Sequence, residues 1–292
     1  MLKILLQQTH FYNIAAGSNG GAALCVTDSN RHLVINVCSF VKCSSTGIGG
    51  AIRLDTTGGR SEISRICAYN CWGGQLSQFS YISIGSGSEL NYLNEFSYMY
   101  CSPVLSGLRR HSIRHGGGCL TIRNINSTKN FLTEWTNGGL FYIITTFDIA
   151  HYQIADGKGD YSIQVGSATS ATSVFSYGNF INNTKATNEK GLIFVQEGGN
   201  FTILHSVFWQ NQNTCFGSYD TTRCYVVECW ISDSSKIGLS ATFISCHYNS
   251  VSILPSSFIQ FQDCNFLSLI MTKEQAYKRH SYFAILMMIL IN

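Results

Sequence analysis

The chain has 292 residues, 45% of them hydrophobic, enough for one large domain or two ordinary ones. Only 12% are charged, about half the usual share, and the net charge is +3. No stretch of 18 apolar residues occurs, so a membrane-spanning helix is not predicted. The one local basic run, from Arg109 to His115, lacks interleaved aromatic residues, so we interpret it as a solvated loop and expect no nucleic-acid partner.

The N-terminus starts like a signal peptide but becomes polar at Gln7, too early for a complete apolar region. We therefore expect this sequence to begin inside a longer protein or at the wrong methionine. Twelve cysteines and three N-glycosylation sequons, at Asn126, Asn182 and Asn200, favour an oxidising, secretory context.

A nine-residue phrase recurs along the chain: an apolar residue, four residues, an aromatic or small apolar residue, two residues, then Cys or Asn. It is found at Ile35…Phe40…Cys43, Ile63…Ala68…Cys71, Leu93…Tyr98…Cys101, Phe175…Phe180…Asn183 and Ile203…Phe208…Asn211. The central residues are 28, 30, 82 and 28 positions apart, and 82 is close to three steps of about 27. A fixed period of this size indicates stacked supersecondary units.

Weaker copies of the phrase extend this pattern. We assign two of them to the 82-residue gap, at Leu120…Ile125…Thr128 and Tyr142…Phe147…Ala150. The second half of the phrase recurs at Phe243 with Cys246 and at Phe261 with Cys264. Together these copies predict about eight or nine turns.

Glycine pairs followed by short apolar strands lie between the phrases, at 20–21, 49–50, 117–118 and 138–139. The pairs predict sharp corners. In the strand after the second pair, Ile52 and Leu54 would face inward and Arg53 and Asp55 outward. Because the repeats contain no convincing amphipathic helix, we predict an all-β fold, a parallel β-helix of three sheets.

In such a coil equivalent residues stack directly, about 4.8 Å apart. The central residues of the phrase would form an inward aromatic column. A second column would contain Cys43, Cys71 and Cys101 and continue as an amide ladder through Asn183 and Asn211.

We predict one β-helix domain over residues 1–270 and a separate tail over residues 271–292. The tail contains ten consecutive apolar residues, 282–291, too few to span a bilayer. Two interpretations stay open: a short helix that caps the end of the coil, or the remnant of a truncated membrane anchor.

Cysteine chemistry gives no metal site in this interpretation. On extended strands Cys38 and Cys43 would lie on opposite faces roughly 16 Å apart, too far to share zinc. Cys215, Cys224 and Cys229, in a loop-rich stretch, are the best candidates for a disulfide.

Catalysis would need clustered acidic residues, and the chain has only 16. The densest acidic segment, residues 156–160, reads as a glycine-rich surface turn, and His205 has no predicted carboxylate partner. We therefore expect no catalytic residues, no cofactor and no metal.

The Gly-Gly-Ala-Ile segment (49–52) together with Phe-x-x-Asn at 180–183 and 208–211 resembles the polymorphic outer-membrane protein repeat of chlamydial surface proteins and of related proteins in parasitic protists such as trichomonads. The Cys variants resemble the protist versions, and the resemblance covers residues 11–266. It implies a right-handed parallel β-helix displayed at the cell surface, acting in adhesion or recognition without catalysis.

We therefore expect a non-enzymatic, cell-surface or secreted protein that recognises a host protein or a glycan. Membrane association would require the missing or truncated anchor. Two alternatives stay open: a carbohydrate-active enzyme, which needs two carboxylates converging on one outer face over adjacent turns, and a truncated family member without a role of its own.

Overall fold

A computed structural model describes residues 2–249 except for 86–89, 102–110, 133–134, 143–145, 167–172, 186–190, 197–199, 213, 219–222 and 237–240. The chain divides into two units, Met1–Ile259 and Gln260–Asn292. The predicted boundary at residue 270, the tail, and the phrase copy at Phe261 and Cys264 all lie outside the described residues.

The described residues form short strands and one turn of 3-10 helix, Ser234–Lys236, and contain no α-helix. The strands in the N-terminal half are β1 (Leu2–Gln7), β2 (His10–Tyr12), β3 (Ala15–Ala16), β4 (Leu24–Val26), β5 (Arg31–Val41), β6 (Ser44–Ile48), β7 (Ile52–Asp55), β8 (Arg60–Tyr69), β9 (Trp72–Gln75), β10 (Ser77–Ser83), β11 (Leu90–Met99), β12 (His111–Gly116), β13 (Cys119–Thr128) and β14 (Thr136–Tyr142). The later strands are β15 (Thr146–Ala155), β16 (Lys158–Gly159), β17 (Tyr161–Gly166), β18 (Ser173–Ser176), β19 (Asn179–Ile181), β20 (Thr184–Lys185), β21 (Ile193–Val195), β22 (Asn200–Leu204), β23 (Val207–Trp209), β24 (Phe216–Ser218), β25 (Arg223–Val227), β26 (Trp230–Ile231), β27 (Ala241–Ile244) and β28 (His247–Tyr248).

The strands stack as a parallel β-solenoid, which confirms the predicted fold class. The largest sheet has a main ladder of ten parallel strands, in the order β1-β5-β8-β11-β13-β15-β18-β22-β25-β27. A second sheet stacks eight strands, in the order β24-β21-β17-β14-β12-β10-β7-β4. The two sheets thus stack ten and eight strands, against the eight or nine turns predicted.

The largest sheet bends, because one residue in each turn has a left-handed backbone. These residues form the first corner column, with φ between 47° and 56°: Gln8, Val37, Arg65, Glu95, Asn124, His151, Tyr177, His205, Glu228 and Ser245. A left-handed residue breaks the strand geometry and turns the chain. The sheet therefore supplies two faces of the coil, and the eight-stranded sheet supplies the third.

A second set of left-handed residues ends the second face. This second corner column, with φ between 51° and 56°, consists of Asn13, Lys42, Asn70, Tyr100, Lys129, Asp156, Asn182, Gln210 and Asn249. Five of the nine are Asn or Asp, the residue types that tolerate this conformation best after glycine. The two columns place exposed side chains at regular intervals along the coil.

The predicted aromatic column is present in the core. Phe11 pairs with Phe40, and Phe180 pairs with Phe208, each across one turn. The rings of Phe180 and Phe208 are parallel, with centroids 4.8 Å apart, and both residues are buried. As predicted, Ile52 and Leu54 also lie in the core.

The last residue of the phrase connects adjacent turns through one recurring hydrogen bond. Its side chain donates to the backbone carbonyl of the central residue one turn earlier. The cysteine examples are Cys43 to Phe11 (3.7 Å) and Cys71 to Phe40 (3.4 Å). The asparagine examples are Asn130 to Tyr98 (3.3 Å), Asn183 to Ile154 (2.9 Å) and Asn211 to Phe180 (2.8 Å). Cys and Asn both occur at this position because both can donate to that oxygen.

The weak copies assigned to the 82-residue gap are wrong in register. Tyr98 pairs with Ser127, and Ser127 with Ile154, so these two residues, not Ile125 and Phe147, occupy the central position. The phrase is not recognisable in the sequence here, because the polar residue Ser127 occupies the central position where other turns have an aromatic residue. Ser127 is buried there because its hydroxyl donates to the Asn137 carbonyl oxygen at 3.1 Å.

The phrase copy at Phe243 is also assigned to the wrong position. Phe243 pairs with Val226, which pairs with Ile203, so it aligns with the first apolar residue of the phrase rather than the central one. Cys246 accordingly follows the first corner, and its thiol donates to the Val226 carbonyl oxygen at 3.3 Å. Thiols of this chain thus satisfy carbonyl groups at both corners.

One glycine pair does not form the predicted corner. Gly138 and Gly139 lie inside β14, and neither has a positive φ. A Cβ atom at Gly138 would clash with the Ser162 carbonyl oxygen, so glycine is required there for close packing. Gly49, with φ of 70°, does form a corner before β7.

Candidate functional site

The first corner column carries a stack of rings, in which Tyr177 is exposed and the two histidines beside it are half-buried. The rings of His151 and Tyr177 are stacked at 5.0 Å, and those of Tyr177 and His205 at 5.2 Å. His205 Nδ1 lies 3.2 Å from the carboxylate of Glu228, so the prediction that His205 has no carboxylate partner is wrong. The partner was missed because the two residues come together only through the register of adjacent turns.

The second corner column and the residues just before it carry a different surface, which we call the basic aromatic strip: Tyr12, Lys42, Tyr69, Tyr100 and Lys129. The Lys42 ammonium group lies 5.8 Å from the ring centre of Tyr12, and the Lys129 ammonium group lies 5.7 Å from that of Tyr100. Tyr69 and Tyr100 meet edge to face at 5.5 Å. Both lysines are exposed, and within the described ranges no carboxylate pairs with either.

The described part of the predicted basic loop is a strand, so the interpretation as a solvated loop is wrong for His111 to His115. His115 lies in the core, and its Nε2 is 2.8 Å from the Ser80 hydroxyl, while its Nδ1 has no partner among the described atoms. Burial lowers the pKa of His115 to about 3. Burial also places the pKa of His111 well below its ordinary value, so both side chains are neutral at pH 7.

Arg114 lies between these histidines on the outer face of the same strand. Its guanidinium group is 4.4 Å from the ring centre of Tyr142 and 5.6 Å from that of Tyr81. The two tyrosine hydroxyls are 3.3 Å apart. The arginine is thus held between two rings rather than exposed in a loop.

The cysteines depart from the sequence interpretation in two ways. Cys38 and Cys43 both face the core, because the chain turns at Val37 and does not stay extended. The proposed bridge cysteines, Cys215, Cys224 and Cys229, form no disulfide, whereas Cys67 is disulfide-bonded.

The thiols of Cys229 and Cys246 lie together at the first corner. Cys229 accepts a hydrogen bond from the Ser206 amide at 3.4 Å, and it neighbours Cys246 on the next turn. The Cys229 thiol lowers the pKa of Cys246 to about 6, because it donates to the thiolate. Burial raises the pKa of Cys224 to about 12. The described residues contain no group of three or more His, Cys, Asp or Glu that could hold a metal ion.

Each of the nine described carboxylates already has a protein partner. Six form ion pairs: Asp28 with Arg31, Asp55 with Arg53, Glu62 with His32, Glu95 with Arg65, Asp148 with Arg123 and Glu228 with His205. The other three are hydrogen-bonded: Asp156 to Asn182, Asp160 to the Trp135 amide and Asp233 to Ser235. Asp156 is exposed, as a surface turn predicts, but Asp160 is buried.

The sequons differ in exposure. Asn182 and Asn200 are exposed, whereas Asn126 is half-buried, and its side-chain oxygen is buried without a described partner. Asn182 and Asn200 are therefore more accessible than Asn126.

Comparisons with known proteins identify no relative of this chain. No protein-family model matches the chain, no curated protein matches it, and no solved structure matches it. Within the described part of the chain, we find no apolar helix with the length that a bilayer crossing requires.

Proposed function

We propose that this protein is a non-enzymatic recognition protein of the polymorphic outer-membrane protein type, secreted or held at the cell surface. The observation that carries the proposal is the pair of exposed corner columns, which repeat aromatic and charged side chains along the outside of the coil. Repeated surfaces of this kind suit extended partners, because each turn adds an equivalent contact.

The state of the carboxylates supports binding over hydrolysis. A glycoside hydrolase needs two carboxyl groups, one acting as acid and the other as base or nucleophile. The described carboxylates instead pair with arginine or histidine side chains or accept hydrogen bonds. Engaged carboxylates stabilise a surface and present few groups that are available for proton transfer.

The test uses the purified chain and a panel of neutral and acidic polysaccharides and host extracellular proteins. We expect saturable binding to at least one member, with no new reducing ends and no unsaturated sugar products after long incubation. Turnover of any polysaccharide would overturn the non-enzymatic assignment. Absence of binding across the panel would overturn the recognition assignment.

Localisation is tested separately, in the native cells. We expect an antibody against the chain to label intact cells or the medium, and external protease to remove the cell-bound signal. Labelling only after permeabilisation would contradict the assignment to the surface.

A further inference from the structure

We propose that the basic aromatic strip binds a linear anionic polysaccharide, one that carries sulfate or carboxylate groups. The inference rests on the proposed recognition function and assigns it a ligand class and a place. The strip occupies consecutive turns, because Tyr12 pairs with Val41, Val41 with Tyr69, Tyr69 with Met99 and Met99 with Thr128. Its side chains therefore form a line along the coil axis.

Charge selects an anion for this line. Lys42 and Lys129 are three turns apart, which separates them by about 14 Å at one turn per 4.8 Å. Between them the corner column contains Asn70 and Tyr100, and the first acidic residue along it is Asp156, one turn beyond Lys129. Asp156 accepts a hydrogen bond from Asn182 at 2.8 Å, so the positive section of the column ends there.

The aromatic rings add a second feature. Each lysine lies over a tyrosine ring, Lys42 over Tyr12 and Lys129 over Tyr100, which limits the positions that its ammonium group can take. Tyr69 and Tyr100 place two phenol groups between the lysines. Fixed cations at intervals, with hydroxyls and ring edges between them, match a chain of sugars whose anionic groups recur along its length.

The backbone of the strip argues against an acidic peptide as the partner. The corner amides are already used between turns: Lys42 donates to Tyr69, Asn70 to Met99 and Lys129 to Ala155, at 2.9 to 3.0 Å. Between Lys42 and Lys129 the described strands pair on both sides, so a peptide could not add as a strand there; β2, which contains Tyr12, pairs only with β5. Recognition must then occur through side chains alone, and a polysaccharide, whose charges and hydroxyls all lie on its outside, can use that mode.

The experiment compares dextran sulfate with unsulfated dextran of the same length, because the two share one backbone and differ only in charge. Binding to the full chain is measured by biolayer interferometry at several salt concentrations. The test variant is the double substitution Lys42→Gln and Lys129→Gln. The control is Arg60→Gln with Arg223→Gln, which removes the same charge from exposed positions outside the strip. Poly-glutamate is the peptide probe.

We expect dextran sulfate to bind and dextran not to bind. Because both fixed positive charges are removed, the strip variant should bind dextran sulfate roughly 30-fold more weakly. The control should change affinity less than about threefold, and the affinity should fall steeply with salt. Circular dichroism should show that both variants keep the fold.

Three results would overturn the inference: dextran sulfate fails to bind, both variants weaken equally, or poly-glutamate binds as tightly as dextran sulfate. None of them by itself removes the proposed function, since binding of another partner elsewhere would leave that function standing. Cleavage of a polysaccharide, by contrast, would remove the proposed function even if the strip variant lost binding.

Discussion

Individual residues in this coil are chosen for what they satisfy on the neighbouring turn. Cys71 and Asn183 look chemically unrelated, yet each donates to the carbonyl of the central residue one turn earlier. An unsatisfied buried carbonyl costs about 1–3 kcal/mol, so the position accepts donors of different kinds but should reject a purely apolar side chain.

This rule predicts the outcome of two substitutions at Cys71. Cys71→Asn should leave the free energy of unfolding within about 1 kcal/mol of the original, because the amide replaces the thiol as donor. Cys71→Val, which is similar in size, should cost about 1 kcal/mol more than Cys71→Asn, because the Phe40 carbonyl loses its side-chain donor. Urea unfolding of both variants measures the free energy of unfolding. Equal decreases in the two variants would contradict a stabilising role for the side-chain hydrogen bond between turns.

A second residue-scale prediction concerns His115, whose pKa is lower in the folded than in the unfolded state. Between pH 6.5 and about 3 the unfolded chain binds a proton that the folded chain does not, so stability must fall as the pH falls. The slope from this residue is about 1.4 kcal/mol per pH unit. His115→Leu should reduce the slope measured between pH 6 and pH 5, because leucine has no proton to bind in the unfolded chain. An identical slope in the original protein and in His115→Leu would contradict the buried, neutral state of His115.

At the scale of the element, the strands turn at left-handed residues that are rarely glycine. The sequence did not reveal these corners, because Val37, Arg65, Glu95 and Tyr177 are not turn-forming residues. Their conformation is set by the two strand halves that they join, each held by the parallel ladder. Pairing of the flanking strand segments therefore outweighs the conformational preference of the single corner residue.

Val37 is the most strained of these corner residues, since a β-branched residue strongly disfavours a φ of 56°. Val37→Asn should stabilise the chain by about 1 kcal/mol, because asparagine tolerates this conformation. Val34→Asn, three residues earlier within β5, is the matched control and should not stabilise. Differential scanning calorimetry distinguishes the two variants, and a loss of stability in Val37→Asn would count against the corner.

At the scale of the molecule, the repeat was readable where its central position is apolar and aromatic, as at Phe40, Phe180 and Phe208. It was assigned to the wrong residues where a hydrogen-bonded polar residue replaces the ring, as at Ser127. The burial of His115 was not predicted either, because it too is a polar residue with a hydrogen-bond partner in the core. Surface pairs such as His205 with Glu228 could not be predicted, because they depend on the length of the intervening turn. The strip of Lys42 and Lys129 was missed for that reason too.

The common core predicts unequal effects of two truncations. Phe208→Ala should destabilise by about 3–5 kcal/mol, because a buried ring stacked on Phe180 is removed. Arg53→Ala, at an outward position paired with Asp55, should cost less than about 1 kcal/mol. Chemical denaturation measures both, and similar losses would mean that the inward and outward assignments are wrong.

The spacing between turns is the central claim, and one distance measures it directly. Lys42 and Gln210 both belong to the second corner column and are six turns apart, because the residues just before them are linked by six successive strand pairings. Spin labels attached through unnatural amino acids at these two positions leave the native thiols untouched. Pulsed electron spin resonance should give a narrow distance distribution centred near 29 Å, six steps of about 4.8 Å. A broad distribution, or a centre below about 20 Å or above about 40 Å, would contradict the stacked coil.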